Sequence, residues 1–443
     1  MYRSSLALAC LAIAVTASAD KYTLTDLGTF YPNRINAYGQ MSGDIPVGTF
    51  DSQAAFWTPS SRNAAVGSVT TLPGDWVGGI NDFGQVAFRS RAFVDAHNLG
   101  HALIFTPLAA NGTIGNSVEV AGGQEVDITG PAINAMGQIS FEALSLIIGE
   151  SNNTYIWTPD SPHASTGSLS QINTFEPQAM NDFGQVIGNE DDTTIYTAKL
   201  WTPASANGPT GTLTDLGNLG GTGYSFPLDI NNRGQVTGLS YTADHFWSTF
   251  RWDPASPNAA TGAMVNIGSE STTYQTFGKS IDESGVAYGA YEIDPSGNYR
   301  ATIFKDGHVI DLNSLVTVSN GYISDVRDTN AAGEIACVFF VNGVSHGGLL
   351  TPRATADQVV DIRHLVEHLV QIGALLPANG QSLYAKLDAA TAKIKSGDLA
   401  GAVTSLQSFI SQVNTFIKTG KLTTAQGQVL IDDAKAIIAQ LTP

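Results

Sequence analysis

One short pattern, Ile-Asn-x-x-Gly-Gln-Val, recurs along most of this 443-residue chain and limits what it can fold into more than any other feature. It stands as Ile35 Asn36 Gly39 Gln40, Ile80 Asn81 Gly84 Gln85 Val86, Ile133 Asn134 Gly137 Gln138, Met180 Asn181 Gly184 Gln185 Val186 and Ile230 Asn231 Gly234 Gln235 Val236. Two looser copies follow, Ile281 Asp282 Gly285 and Asn330 Gly333 Glu334. Successive glycines are 45, 53, 47, 50, 51 and 48 residues apart. A second periodic feature lies 17 to 21 residues after each glycine, an aromatic or large apolar residue that is usually followed by Thr-Pro: Trp57, Phe105, Trp157, Trp201, Trp252, Phe304 and Leu350. A third precedes each signature, an alternating strand such as Tyr22 to Leu27, Leu213 to Leu216 or Val309 to Leu312.

Asn-x-x-Gly between apolar residues closes a short hairpin, because Asn bonds its own backbone and Gly supplies a left-handed conformation. Asn36, Gly39, Asn81, Gly84, Asn134, Gly137, Asn181, Gly184, Asn231 and Gly234 are therefore read as structural turn residues. Asp229-x-Asn231-x-x-Gly234 has the start of a calcium loop but lacks the distal Glu, so it too reads as a turn. Four short strands repeated seven times at a period in the forties predict a mainly β fold, a β-propeller of about seven blades. A parallel β-helix is the alternative, although its coils are shorter. The Trp-Thr-Pro position then packs between blades, with Pro ending the strand.

These units resemble the HAF repeat of secreted bacterial proteins. The fullest copy is Asp215 Leu216 Gly217 Asn218 Leu219 Gly220 Gly221 followed by Ile230 Asn231 Gly234 Gln235 Val236 Gly238, and the family's His-Ala-Phe element stands as His101 Ala102 Leu103 and, degraded, as His346 Gly347 Gly348. Five of the seven units lack the His. The resemblance spans residues 20–352 and implies a secreted repeat protein with no catalytic residues to carry over.

Residues 1–19 read as an export signal: Arg3, the apolar run Leu6 to Val15, and a small-residue cleavage site at Ala17, Ser18 and Ala19. A lipidated Cys10 is the competing reading of that segment. Removal of the signal leaves Cys337 alone, with no disulfide partner; in its apolar strand it reads as a buried thiol. The expected location is extracellular or periplasmic, and no later stretch is long and apolar enough to span a membrane.

After Pro352 the pattern changes to helical spacing, as in Val403, Leu406, Phe409, Ile410, Val413, Phe416 and Ile417. Pro377, Gly380, Gly397 and Gly420 divide residues 353–443 into about four helices, with Thr423 as an N-cap. Leu387 Asp388 Ala389 Ala390, Gly397 Asp398, Leu406 Phe409 Ile410 and Gly420 Lys421 Leu422 resemble a FIMAH-like helical module, which implies an accessory or attachment role. Residues 20–352 hold 12 basic and 32 acidic residues, net -20, whereas residues from Arg353 onward hold 8 and 7, net +1. An acidic propeller repels polyanions, so nucleic acid is excluded as a partner.

Two catalytic patterns occur and both are weak. His364-Leu365-Val366-Glu367-His368 fits H-x-x-E-H, in which His364 and His368 would share a helix face toward a metal, but no later Glu supplies a third ligand. Gly343-Val344-Ser345-His346-Gly347 fits a nucleophile elbow, yet Asn342-Gly343 reads as a hairpin with a strand after it. A functional site is expected where units depart from consensus: Arg89, Arg91, Asp95 and His97 in the second; Glu190, Asp191 and Asp192 in the fourth; Tyr241, Asp244 and His245 in the fifth; Tyr291 and Glu292 in the sixth. Arg89 and Arg91 would clamp a carboxylate. No cofactor motif is present; besides a metal at His364 and His368, the sequence admits calcium at Glu190 to Asp192. The favoured function is a non-enzymatic binding module for a carbohydrate, cell-surface component or protein. The alternative is an extracellular polysaccharide hydrolase or lyase with carboxylates converging from several blades.

Overall fold

The computed structural model describes residues 21–48, 51–94, 97–121, 126–145, 152–191, 196–268, 275–294, 296–305 and 307–442. The export-signal reading falls outside them. Two compact units form, one over Thr23–Pro352 and the other built on Arg353–Pro443.

The first unit is a ring of seven four-stranded antiparallel sheets, a seven-bladed β-propeller. Six blades run through consecutive strands from axis to rim: residues 31–71, 76–121, 126–173, 176–215, 220–266 and 276–311. The seventh is made of Gly321–Thr329, Ile335–Val341 and Val344–Pro352, and its outermost strand is Tyr22–Asp26 from the other end of the chain. The sequence unit, which begins with the strand before each signature, is therefore offset by one strand from the physical blade. That offset leaves Tyr22–Asp26 without a blade of its own and ties the ring shut.

The signature joins the first strand of a blade to the second. Gly39, Gly84, Gly137, Gly184, Gly234, Gly285 and Gly333 all have φ between 76 and 90°, so the degenerate sixth and seventh copies make the same turn as the others. Between blades the core is apolar: Trp57 of blade 1 packs with Ala336 of blade 7, Trp157 of blade 3 with Ala87 and Ile104 of blade 2, and Trp252 of blade 5 with Ile187 of blade 4. Each such ring lies over the first residue of the outermost strand. At Gly67 a Cβ would stand 2.5 Å from the Trp57 ring and 2.3 Å from the Thr58 carbonyl, which explains the glycine there.

The second unit is four helices: α1 (Thr355–Gln371), α2 (Pro377–Lys395), α3 (Leu399–Lys418) and α4 (Thr424–Leu441). They enclose one core containing Ile362, Val366, Leu383, Leu387, Leu406, Phe409, Val413, Leu430 and Ile437. Thr423 caps α4 in a capping box with Gln426, as its sequence predicts. Gly380 corrects the expected breaks. It lies inside α2, where a Cβ would stand 2.6 Å from Val370, so its small size serves helix packing rather than helix termination. No described helix is long and apolar enough to cross a membrane.

Candidate functional site

The innermost strands of all seven blades enclose an axial cavity of about 820 Å³, a volume suited to a small ligand. A β-bulge in each innermost strand shapes its wall. The register slips at Pro32/Arg34, Val77/Gly79, Thr129/Ala132, Pro177/Ala179, Pro227/Asp229, Gly278/Ser280 and Val326/Asp328, always just before the residue that precedes Ile-Asn. A bulge bends the strand and re-aims its side chains. The seven equivalent positions beyond it are Arg34, Gly79, Ala132, Ala179, Asp229, Ser280 and Asp328, four polar residues on one arc and three small ones on the other.

On the polar arc Arg34 of blade 1 reaches Asp229 of blade 5 at 3.0 Å and Asp328 of blade 7 at 3.8 Å, and it donates to the Leu228 carbonyl at 3.3 Å. Both carboxylates also hold main chain. Ile281 N donates to Asp229 at 2.9 Å, Ile35 N donates to Asp328 at 2.8 Å, and Ser280 Oγ donates to Asp328 at 3.0 Å. Burial works against the Arg34 charge, but Asp229 and Asp328 outweigh it and raise its pKa. Burial pushes Asp328 up to about 6, against the pull of Arg34. Nearby, Lys279 and Arg327 share Asp325 at 3.6 and 3.5 Å.

The sequence candidates fall on hairpins joining the second and third strands of their blades, at the opposite end of the sheets from the Asn-x-x-Gly turns, and they do not converge. Arg89 lines the axial cavity, donates to both oxygens of Asp75 at 3.3 and 3.0 Å, and lies 5.9 Å from the Trp76 ring centroid. Arg91 meets the same Asp75 at 3.5 Å. Beside them Asp44 accepts from Asn33 Nδ2 at 2.9 Å and Val77 N at 3.2 Å, and burial raises its pKa to about 6. Glu190 pairs with Lys199 at 2.9 Å, which also meets Asp215 at 3.2 Å. Tyr291 donates to Asp311 at 3.2 Å, and Glu292 accepts from Gln275 N at 3.4 Å. Asp95 and Asp192 lie outside the described residues, and only backbone is described for His97 and Asp191. His364 and His368 are exposed on α1, and no group of three metal-ligating side chains forms among the described residues. Ser345 lies on a strand after the Asn342-Gly343 turn, where its carbonyl accepts from Tyr31. Cys337 is buried, and burial raises its pKa.

Tyr241 does belong to a group. Its ring stands edge-on to Trp247 at 4.0 Å; Tyr224 lies 5.8 Å from Tyr241, Phe226 5.6 Å from Trp247, and Tyr196 5.4 Å from Phe226. Asp244 and His245 occupy the exposed tip of the same hairpin, where His245 takes φ 63° and its ring lies 6.4 Å from Tyr241. Arg34, Asp229 and Asp328 escaped the sequence reading because it sought departures in loops. Aligning the seven signatures by column would have exposed them, since one Arg and two Asp break a column of otherwise small residues.

Residues 359–439, in the helical unit, match the FIMAH domain. No curated protein matches the chain. Among solved structures it is similar to TolB from Acinetobacter baumannii at 8% identity, covering 73% of this chain and 63% of that one, with a TM-score of 0.33. It is similar to Trypanosoma rangeli sialidase in complex with the inhibitor DANA at 8% identity, covering 71% and 61%, with a TM-score of 0.37. A protein of unknown function from Dyadobacter fermentans DSM 18053 is 11% identical, with 74% and 99% covered and a TM-score of 0.36. The match spans less than two thirds of the first two chains. Identities and scores this low carry no function across. The chain is a seven-bladed propeller followed by a four-helix region that matches the FIMAH domain.

Proposed function

We propose that this is a secreted protein of the HAF-repeat kind whose propeller is a non-enzymatic binding module for a carbohydrate, with the helical unit as an accessory element. The observation that carries the reading is the aromatic group around the blade 5 hairpin, in which Tyr241 and Trp247 of the hairpin meet Tyr224 and Phe226 of the innermost strand and Tyr196 of blade 4. Tyr224, Tyr241 and Trp247 are only partly buried and Tyr196 is exposed. Their polar tips and apolar faces suit a ligand that is itself hydroxylated at its edge and apolar on its face, as a sugar ring is. Rings already packed against one another lose little freedom when a ligand arrives.

The test is retention of residues 20–443 on a panel of polysaccharides, with simultaneous measurement of new chain ends. Trp247→Ala is expected to weaken retention at least ~10-fold, about 1.4 kcal/mol; unchanged retention in Trp247→Ala and Tyr241→Ala would remove this site. The hydrolase or lyase reading has one observation in its favour, Asp44, whose carboxyl stays protonated to about pH 6 beside the paired Arg89 and Asp75. New chain ends that disappear in Asp44→Asn would establish that reading in place of the first.

A further inference from the structure

The axial cavity is half furnished, and the furnished half shows what the bare half is built to take. In every blade the residue after the bulge is followed by the last residue of the innermost strand, paired in the same register: Ile35↔Met41, Ile80↔Val86, Ile133↔Ile139, Met180↔Val186, Ile230↔Val236, Ile281↔Ala287 and Thr329↔Ile335. At this register the main-chain N–H points away from the partner strand, toward the preceding blade. In blades 1 and 6 it meets a carboxylate there, Asp328 for Ile35 and Asp229 for Ile281.

In blades 3, 4 and 5 the facing positions are Gly79, Ala132 and Ala179, and all three line the cavity. None carries a side-chain oxygen to meet Ile133 N, Met180 N or Ile230 N, and among the described residues no turn carbonyl does so. A Cβ built on Gly79 would stand 3.1 Å from Ile133 Cγ2 and 3.4 Å from Ile133 N, so a side chain there would begin against that residue's N–H. A buried main-chain N–H facing a cavity takes an acceptor, from protein, water or ligand. Two residues further along the wall, in the turn, main-chain N–H groups meet acidic side chains of the following blade: Ala37 N donates to Asp82 at 2.8 Å, Ala135 N to Asp182 at 2.7 Å and Asn232 N to Glu283 at 3.1 Å.

We propose that the arc formed by the N–H groups of Ile133, Met180 and Ile230 above Gly79, Ala132 and Ala179 is a binding site for the carboxylate of a small ligand. It stands independently of the aromatic hairpin. The ligand's carboxylate takes the place that Asp229 and Asp328 fill on the opposite arc. On the polar arc Arg34, Lys279 and Arg327 offset Asp229, Asp325 and Asp328, so that arc presents no net charge to a monoanion on the opposite side. The turn end of the cavity carries Asp82, Asp182, Asp282 and Glu283, whereas the hairpin end carries Arg89 and Glu176, one charge of each sign, so a carboxylate enters from the hairpin end.

The probes are D-glucuronate and N-acetylglycine, with D-glucose and N-acetylglycinamide as their neutral counterparts, titrated calorimetrically into the full mature chain. At least one carboxylate should bind saturably while its neutral counterpart does not, and which one binds separates a sugar acid from a peptide end. In amide NMR spectra the same titration should move the Ile133, Met180 and Ile230 signals and leave Ile35 and Ile281, already bonded, in place. Ala132→Asp places a carboxylate where blades 5 and 7 have one, and should fold, raise the melting temperature and weaken binding at least 10-fold; Ala179→Asp does the same for Ile230. The proposal is overturned if no carboxylate binds the wild type up to tens of millimolar, if the neutral counterparts bind equally, or if the three amide signals do not move.

Discussion

Asn134→Leu should lower the stability of the propeller by about 3–5 kcal/mol, a loss in melting temperature of about 4–7 °C, whereas Asn116→Leu on the exposed rim should change it by no more than ~0.5 kcal/mol. The first figure follows from five hydrogen bonds on one buried side chain. Asn134 Oδ1 accepts from Met136 N at 3.1 Å and Gln138 N at 3.0 Å, which forms the turn. Its Nδ2 donates to Gln138 Oε1 at 2.9 Å, to Asn207 Oδ1 at 3.0 Å and to the Asn181 carbonyl of the next blade at 3.4 Å. Leucine fills the volume and leaves these partners buried and unmet, at about 1–3 kcal/mol for each that water cannot reach. The same donation to the next blade's carbonyl runs from Asn36 to Asn81, Asn81 to Asn134, Asn181 to Asn231, Asn231 to Asp282 and Asn330 to Asn36, so it is the polar fastening of the ring.

Asn134→Asp separates the turn from the fastening. Blade 6 already has the acid: Asp282 Oδ1 accepts from Ser284 N and Val286 N, and its second oxygen accepts from Tyr288 Oη at 3.2 Å. Blade 3 has Ser140 where blade 6 has Tyr288, so the second oxygen of the introduced carboxylate would face the acceptors Gln138 Oε1, Asn207 Oδ1 and the Asn181 carbonyl. The variant should be at least as unstable as Asn134→Leu at pH 8 and recover part of the loss below about pH 5, where the carboxyl regains a proton to donate. Equal melting temperatures for Asn134→Asp and wild type at pH 8 would show that the inter-blade bonds carry no weight.

The period of the signature and the recurring Trp-Thr-Pro made the blade count readable, because each reports a local event, a turn or an aromatic knob, at fixed spacing. The fastening was not readable because its partners sit in different units. Gln40 Nε2 reaches Thr58 Oγ1 in its own blade at 2.9 Å and the Asn111 carbonyl in the next at 3.1 Å, 71 residues away. Gln85, Gln138 and Gln185 bond Thr106, Thr158 and Thr202 in the same way, which gives the Gln after each turn and the Thr after each aromatic one shared role. Asn111, Asn207 and Asn258 contribute from left-handed backbone at φ 59°, a conformation that composition alone does not reveal. The loop candidates failed to converge for a related reason: hairpins on different blades radiate from the axis, whereas bulged innermost strands share it. A site on the axis is encoded in the signature column itself, one residue before Ile, where a reading for turns has no cause to look.

Glu334→Gln should stabilise the protein by about 1–3 kcal/mol at pH 8 and by almost nothing near pH 4. Glu334 holds the Gln position in blade 7, next to the junction where the ring closes, and is 1% exposed. Its Oε2 accepts from Asn330 Nδ2 at 2.7 Å. Its Oε1, Thr351 Oγ1 and Asn63 Oδ1 are buried without partners, at the places where the other blades have the Gln amide, its Thr and the neighbouring Asn. A carboxylate has no proton to give to Thr351 or to blade 1; a neutral carboxyl does. Burial raises the pKa of Glu334, with the Asn330 bond pulling the other way. A carboxyl whose folded pKa lies above its unfolded value stabilises the fold fully below the unfolded value, near ~4.3, and loses that contribution as pH rises through the folded value. Wild type should therefore weaken at this junction on going from pH 4 to pH 8, and Gln, which donates at every pH, should not. Asp44 and Asp328, also raised, titrate in both proteins and cancel in the difference. Melting temperatures of the two proteins should coincide near pH 4 and separate upward; a gap of the same size at both pH values would mean that Glu334 is ionised in the fold and that closure of the ring is indifferent to its proton.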